Sequence, residues 1–311
     1  MNEPLKEILE IIQKEYGDRK IELDSRLRHF IFKNYFKGKK LDEKALEALV
    51  ILFKPDYKAI ESYNTTLKPD NTVREIVAKI LVSTSIDSDP FLEMRDQKII
   101  DILMEYGINE NNSLRDFCLD SFHAHVPSDI LIKYSQTLIR NFQNLQPSSE
   151  MLNIIAKAKF KELLPIVNSL MKDPYWSKQE QTLIALAALG NLKIENKFID
   201  KFINTKDPKE KMNLAHTLGY IGTKSALKAL VSEMRTDLVY EMPHAFRKSV
   251  RVEIIEALSF NYPDKTFLWD NAILDDEGYV LVEKFCEEDF GIKWTKPRPS
   301  FLWIEGYPSE R

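Results

Sequence analysis

The chain has 311 residues, of which 44% are hydrophobic and 30% are charged, and its net charge is -4. This composition excludes a disordered chain, and the nearly balanced charge gives no general preference for nucleic acid or for a membrane surface. Only nine glycines accompany many Leu, Ile, Lys and Glu residues, so the composition predicts a mostly helical protein.

The N-terminal residues and the cysteines indicate the compartment. The opening sequence, MNEPLKEILEIIQKEYGDRK, is acidic where a secretory signal is basic, and it has no continuous apolar core. No apolar run reaches the roughly 20 residues that a membrane-spanning helix requires. Cys118 and Cys286 lie far apart without a CxxC partner, which predicts two buried, reduced thiols. We therefore expect a cytoplasmic protein without membrane association.

Residues 1–66 are expected to form a helical N-terminal cap. Helical periodicity covers three stretches of this segment, near residues 3–15, 22–36 and 41–53. Residues 19–40 are rich in Lys and Arg, whereas residues 270–290 are rich in Asp and Glu. These opposite charges allow end-to-end self-association that salt would weaken.

Three later helices are predicted to begin in the same way, with a capping residue, an aliphatic residue and then an arginine. The sequences are DNTVREIVAKIL from Asp70, NNSLRDFCLDSF from Asn111, and SVRVEIIEAL, which contains Arg251. The first two place Arg74 and Arg115 at the equivalent position. We interpret each segment as the first helix of a helical pair.

A complete helical pair is predicted near residues 207–235. Asp207 is a natural N-cap, Pro208 suits the first helical position, and Glu210 completes a capping box. Apolar residues then recur at helical spacing on both sides of the segment LGYIG.

The two glycines of LGYIG are predicted to make the turn of this pair. Gly219 is expected to end the first helix in a left-handed conformation, and Gly222 to allow a tight turn into the next helix. A phosphate-binding loop would instead need a preceding strand. The same order recurs in LIALAALGNLKIENKFIDKFINTKDP, residues 183–208, and partly in IAKAKFKELLPIVNSLMKDP, residues 155–174.

These units resemble the HEAT repeat family, particularly the short bacterial HEAT-like repeats. AHTLGYIGTKSALKAL, residues 215–230, is similar to the family core A-x-x-LG-x-IG-x-x-x-A-x-x-x-L, and the segment Asp70 to Arg74 is similar to its D-x-x-VR start. CEEDFGIKW, residues 286–294, is similar to the tail that closes some of these arrays. The resemblance implies an all-α fold, an α-solenoid (superhelix) of stacked helical hairpins of the HEAT and armadillo type.

The resemblance also implies a domain organisation. Residues 67–294 would form about six degenerate repeats, and residues 295–311 would fold back as a tail on the last repeat.

No motif in the chain predicts catalysis, a cofactor or a metal ion. Asp289-Phe290-Gly291 matches the kinase metal-binding triplet without any other kinase motif, so Phe290 is expected to pack on the last helix and Gly291 to end it. His123 and His125 lie near Cys118 and Asp120, but histidines two apart on a helix diverge by about 200°. Neither His216 nor His244 has an evident ligand companion in the sequence.

An enzyme is the alternative interpretation. Helical-repeat DNA glycosylases, as a family, use an acidic residue together with tryptophans in a basic groove. The matching pairs here are Asp173 with Trp176 and Asp270 with Trp269. A helix cap and core aromatics explain the same residues without catalysis.

The predicted binding surface is the concave face of the repeats, which the second helices usually line. Its exposed residues are predicted to be Lys133, Arg140, Asn168, Lys172, Lys197, Lys201, Lys224, Lys228 and Arg235. Such a basic face is either merely solvated or binds an acidic protein or a phosphate backbone. We therefore predict a non-catalytic scaffold or adaptor that binds a protein partner. A bacterial immunity-type inhibitor is a narrower version by fold analogy, and a nucleic-acid-binding enzyme is the alternative.

Overall fold

The computed structural model describes residues 3–15, 20–37, 40–54, 71–87, 94–108, 113–241, 247–262, 265, 268 and 276–295. These residues are mostly α-helical, as the composition predicts, and include two short antiparallel β-hairpins. In these ranges no helix combines the length and the apolar character needed to cross a membrane. The chain divides into two compact units, Met1–Ile154 and Ile155–Arg311.

The first unit is a set of helices packed in sequence. Its elements are α1 (Glu3–Glu15), α2 (Lys20–Tyr35), β1 (Phe36–Lys37), β2 (Lys40–Leu41), α3 (Glu43–Phe53), α4 (Asn71–Asp87), α5 (Gln97–Tyr106), α6 (Ser113–His125), α7 (Ser128–Lys133) and α8 (Ser135–Asn144). Helix α1 packs on α2 and α3, α3 packs on α4, and α4 packs on α5 and α6. Helix α9 (Ser149–Ala158) crosses the boundary to the second unit.

The recurrent arginine of the three similar helix starts is buried wherever it occurs. Arg74 is 2% exposed, and its guanidinium donates to the carbonyls of Phe53 and Tyr106, each at 2.8 Å. These two carbonyls are at the C-terminal ends of α3 and α5, where a positive charge is favourable. Arg115 reaches the carbonyl of Gln146 at 3.4 Å in the same manner. Arg74 and Arg115 therefore join their helices to more distant segments of the first unit.

The second unit contains two layers of helices. Its helices are α10 (Leu164–Leu170), α11 (Glu180–Ala188), α12 (Leu192–Asn204), α13 (Pro208–Ile221), α14 (Lys224–Ser232), α15 (Val250–Ser259) and α16 (Asp276–Phe290), and its strands are β3 (Val239–Glu241) and β4 (Arg247–Ser249). Helix α13 packs between α11 and α15, and α14 packs between α12 and α16. The strands pair antiparallel, with Tyr240 opposite Lys248.

Gly219 has a different role from the one expected, whereas Gly222 makes the tight turn between the two helices as predicted. Helix α13 continues through Gly219 to Ile221, so the prediction that Gly219 ends the helix is wrong. Gly222 ends it instead, with φ of 58° in the left-handed region. A Cβ atom on Gly219 would lie 2.8 Å from the carbonyl oxygen of Ala257, so this glycine allows α13 and α15 to approach closely.

The predicted start of α13 is partly confirmed. Asp207 caps the helix, because its carboxylate accepts from the backbone N–H of Lys209 at 3.0 Å. Glu210 does not form the expected capping box in the described structure. Its carboxylate accepts from Lys201 at 2.9 Å and from the hydroxyl of Thr205. Glu210 thus links the end of α12 to the start of α13.

The end of the described chain follows the sequence prediction. Phe290 is 8% exposed and packs edge-on against Tyr262 and Phe285. Gly291 ends α16 with φ of 64°. Of the predicted tail, residues 295–311, only Thr295 belongs to the described residues.

Candidate functional site

Two neighbouring helices of the second unit present exposed lysines. Lys197 and Lys201 lie on α12, and Lys224 and Lys228 lie on α14, which packs against α12. We call these four residues the basic surface. The hydroxyl of Thr223 caps α14 by accepting from the N–H of Ala226 at 3.1 Å, so Lys224 and Lys228 occupy the first two turns of this helix.

The other predicted surface residues lie in different places. Asn168 on α10 and Lys172 just after it are exposed in the second unit. Lys133 on α7 and Arg140 on α8 are exposed in the first unit. We therefore treat the basic surface of α12 and α14 separately from these residues.

Arg235 differs from the lysines because its charge is used inside the fold. Its side chain is 15% exposed, and Nε donates to Glu283 at 2.7 Å. The guanidinium lies 4.6 Å from the centre of the Trp294 ring, a cation–π distance. The expectation that Arg235 is an exposed groove residue thus does not match its position. Lys201 also has an acidic partner, Glu210, but its side chain stays 59% exposed.

A buried ion pair connects α13 to the two helices that carry the basic surface. Lys211 on α13 is 1% exposed and donates to Glu233 at 2.8 Å, next to the end of α14. Its ammonium also lies 5.0 Å from the ring of Phe202 on α12. Glu195, another buried side chain of α12, accepts from the hydroxyl of Thr223. These contacts join α12, α13 and α14 into one support.

A cluster of metal-ligand residue types lies in the other layer. His216 is on α13, Glu253 and Glu256 are on α15, and their ligand atoms all lie within 4.8 Å of one another. His216 Nε2 is hydrogen-bonded to Glu253 Oε2, and the Glu253 side chain is 3% exposed. The ring of Phe260 covers one side, with its centre 5.9 Å from that of the imidazole.

The sequence prediction missed this cluster. The only local signal is the spacing of Glu253 and Glu256, which are three residues apart and therefore lie on one helix face. His216 joins them only through the packing of α13 on α15. Within the described ranges, His123 and His125 are not part of any comparable group of three ligands, and His244 lies outside those ranges.

The residues that favoured an enzyme have a local structural role where they are described. The Asp173 carboxylate accepts from the backbone N–H groups of Tyr175 and Trp176, at 2.7 and 3.3 Å. It therefore caps the short turn that carries Trp176. Trp269 and Asp270 lie outside the described residues.

Both cysteines are buried, as predicted. Burial raises the pKa of the Cys286 thiol well above its usual range, and the nearby carboxylates of Glu283, Asp289 and Glu287 raise it further. A thiol in this environment stays protonated and is a poor nucleophile.

Comparison with known proteins finds no matching family model, no matching curated protein and no matching solved structure. The HEAT-like assignment remains a prediction from the segment 215–230.

Proposed function

We propose that the protein is a non-catalytic, cytoplasmic helical-repeat scaffold of the HEAT-like type, and that its basic surface binds an acidic protein partner. The observation that supports this proposal is the exposure of four lysines on two helices that pack side by side. In helical-repeat proteins, the helices of one layer commonly form the binding face.

The fold beneath these lysines favours binding over simple solvation. The buried Lys211–Glu233 pair and the buried Glu195 link α12, α13 and α14, so the lysines lie on helices that are held to one another by buried polar contacts. A preorganised surface loses less conformational entropy when a partner binds. Clustered positive charge also accelerates the encounter with an acidic protein.

Helix α12 also exposes two apolar side chains, on a different side from Lys197 and Lys201. Leu192 is 66% exposed and Ile203 is 40% exposed, both on α12. Protein interfaces usually combine an apolar centre with a charged rim. Because these two side chains lie away from Lys197 and Lys201, they supply no apolar centre for the basic surface, which therefore favours a partner recognised mainly through its acidic charge.

The proposal is tested by charge reversal in the full chain. The variant Lys197→Glu/Lys224→Glu/Lys228→Glu and the wild type are used as bait for affinity purification from the native host, and the co-purified partner is then made separately. We expect the triple variant to bind this partner at least about tenfold more weakly, with an unchanged melting temperature, because each exposed charge pair contributes up to about 1 kcal/mol.

The control variant carries the same charge change elsewhere. Lys161, Lys178 and Lys209 are exposed lysines outside the basic surface, and their replacement by Glu should leave the affinity unchanged. Equal affinity of the triple variant and the wild type would refute the assignment of the surface.

A DNA titration distinguishes protein binding from the alternative function, nucleic-acid binding. Fluorescence anisotropy of labelled duplex DNA should show no salt-sensitive binding if the partner is a protein. Binding to DNA that the triple variant loses would favour the nucleic-acid-binding enzyme instead. If the purified partner is a toxin that the chain inactivates, the narrower immunity-type hypothesis gains support.

A further inference from the structure

We propose that His216, Glu253 and Glu256 form a binding site for a divalent transition-metal ion such as Zn²⁺. The site is on α13 and α15, whereas the basic surface is on α12 and α14. The metal site is therefore independent of the proposed partner binding, and either proposal can fail without the other.

The backbone geometry brings the three donors to one place. Glu253 and Glu256 lie on adjacent turns of α15 and face the same neighbour. The three ligand atoms lie within 4.8 Å of one another. Ligands bound at about 2.0–2.2 Å from Zn²⁺ are about 3–4 Å apart, so small side-chain adjustments suffice for all three to share one ion. His216, with a side chain that is 31% exposed, has room to make this adjustment.

The chemistry of the donors selects the class of ion. One imidazole nitrogen with two carboxylate oxygens suits Zn²⁺, Mn²⁺ or Fe²⁺, whereas Ca²⁺ and Mg²⁺ prefer oxygen ligands alone. Two carboxylates held this close repel each other when both are ionised. A divalent ion placed between them would balance both charges, and the burial of Glu253 would strengthen this attraction.

The surroundings resemble the supporting groups of a metal site. Tyr220 stacks on Phe260 with ring centres 5.2 Å apart, one turn after His216 on α13. Hydrogen-bonding groups and apolar walls around the ligands commonly orient them.

The proposal is tested by calorimetric titration of Zn²⁺ into the metal-free full chain. We expect one equivalent to bind, and the melting temperature to rise with Zn²⁺ concentration, since an ion that binds the folded state stabilises it. His216→Asn and Glu256→Gln should each weaken binding at least about 100-fold, because even substitutions outside the ligand shell cost 10–100-fold.

The control is Glu288→Gln, which makes the same chemical change at an exposed position of α16 and should leave Zn²⁺ binding unchanged. Co²⁺ provides a second measurement on the wild type alone. It should compete with Zn²⁺ for the single equivalent that the calorimetric titration detects. Failure of the wild type to bind Zn²⁺, or unchanged binding by folded His216→Asn and Glu256→Gln, would each overturn the proposal.

Discussion

Replacement of Lys211 by Met tests whether the buried ion pair supports the second unit. Lys211 is 1% exposed, its partner Glu233 has a side chain that is 18% exposed, and the two lie 2.8 Å apart. Met keeps most of the apolar stem and removes the ammonium. The variant therefore leaves the Glu233 carboxylate without its partner in a mostly dry environment.

The expected cost follows from these exposures. Removing one partner of a buried ion pair costs about 3–5 kcal/mol, because the remaining charge loses its compensation. Glu233 keeps some contact with water, so we expect the lower end, about 3 kcal/mol. The lost contact of the ammonium with the Phe202 ring is included in this figure. For a unit of this size the melting temperature should fall by about 6–12 °C.

The assay is thermal and urea unfolding followed by circular dichroism, with Lys209→Met as the control. Lys209 is exposed on the same helix, so its replacement should change stability by less than about 0.5 kcal/mol. The double variant Lys211→Met/Glu233→Gln should recover part of the loss, because the uncompensated charge is gone. The reasoning is refuted if Lys211→Met is as stable as Lys209→Met, or if Glu233→Gln adds a further independent loss.

Two further predictions concern the glycines that end α13 and α16 and the carboxylate of Glu210. Gly222→Ala should lower stability more than Gly291→Ala. Both glycines have left-handed φ values, which cost Ala about 1–2 kcal/mol. Only at Gly222 would the new Cβ also collide with a side-chain oxygen, that of Asn261. Equal melting temperatures of the two variants would show that the Asn261 side chain moves away from the new Cβ without cost, and would contradict the prediction. The hydrogen bond from the Thr205 hydroxyl, and then the one from Lys201, lower the pKa of the Glu210 carboxyl. The ionised carboxylate therefore stabilises the fold above the unfolded-state pKa of about 4.3. This stabilisation is lost as the pH falls through the folded-state pKa. The difference in melting temperature between wild type and Glu210→Gln should therefore shrink from pH 7 to pH 3, and a constant difference would contradict the role of this carboxylate.

The parts of the fold that depend on residues close together in the sequence were predictable. The cap by Asp207, the left-handed end at Gly291 and the helical pair around residues 208–232 follow from short-range patterns. The role of Gly219 was predicted wrongly, because a glycine near a helix end suggests a cap and the sequence does not show Ala257 beside it.

In the candidate sites, too, features set by local sequence were predictable and contacts between distant residues were not. Exposure of Lys197 and Lys228 follows from amphipathic spacing on a helix. The pairing of Arg235 with Glu283 joins residues far apart in the chain, and so does the contact of His216 with Glu253. Such contacts depend on how helices pack, which local periodicity does not specify.

The contact between Gly219 and Ala257 also fixes the separation of α13 and α15. His216 precedes Gly219 by about one helical turn, and Glu253 precedes Ala257 by about one turn, so α13 and α15 run parallel and in register. The close approach of the helices at Gly219 and Ala257 therefore sets the distance between the imidazole of His216 and the two carboxylates. A methyl group at Gly219 would push α13 and α15 apart and would increase the distances from His216 to Glu253 and Glu256.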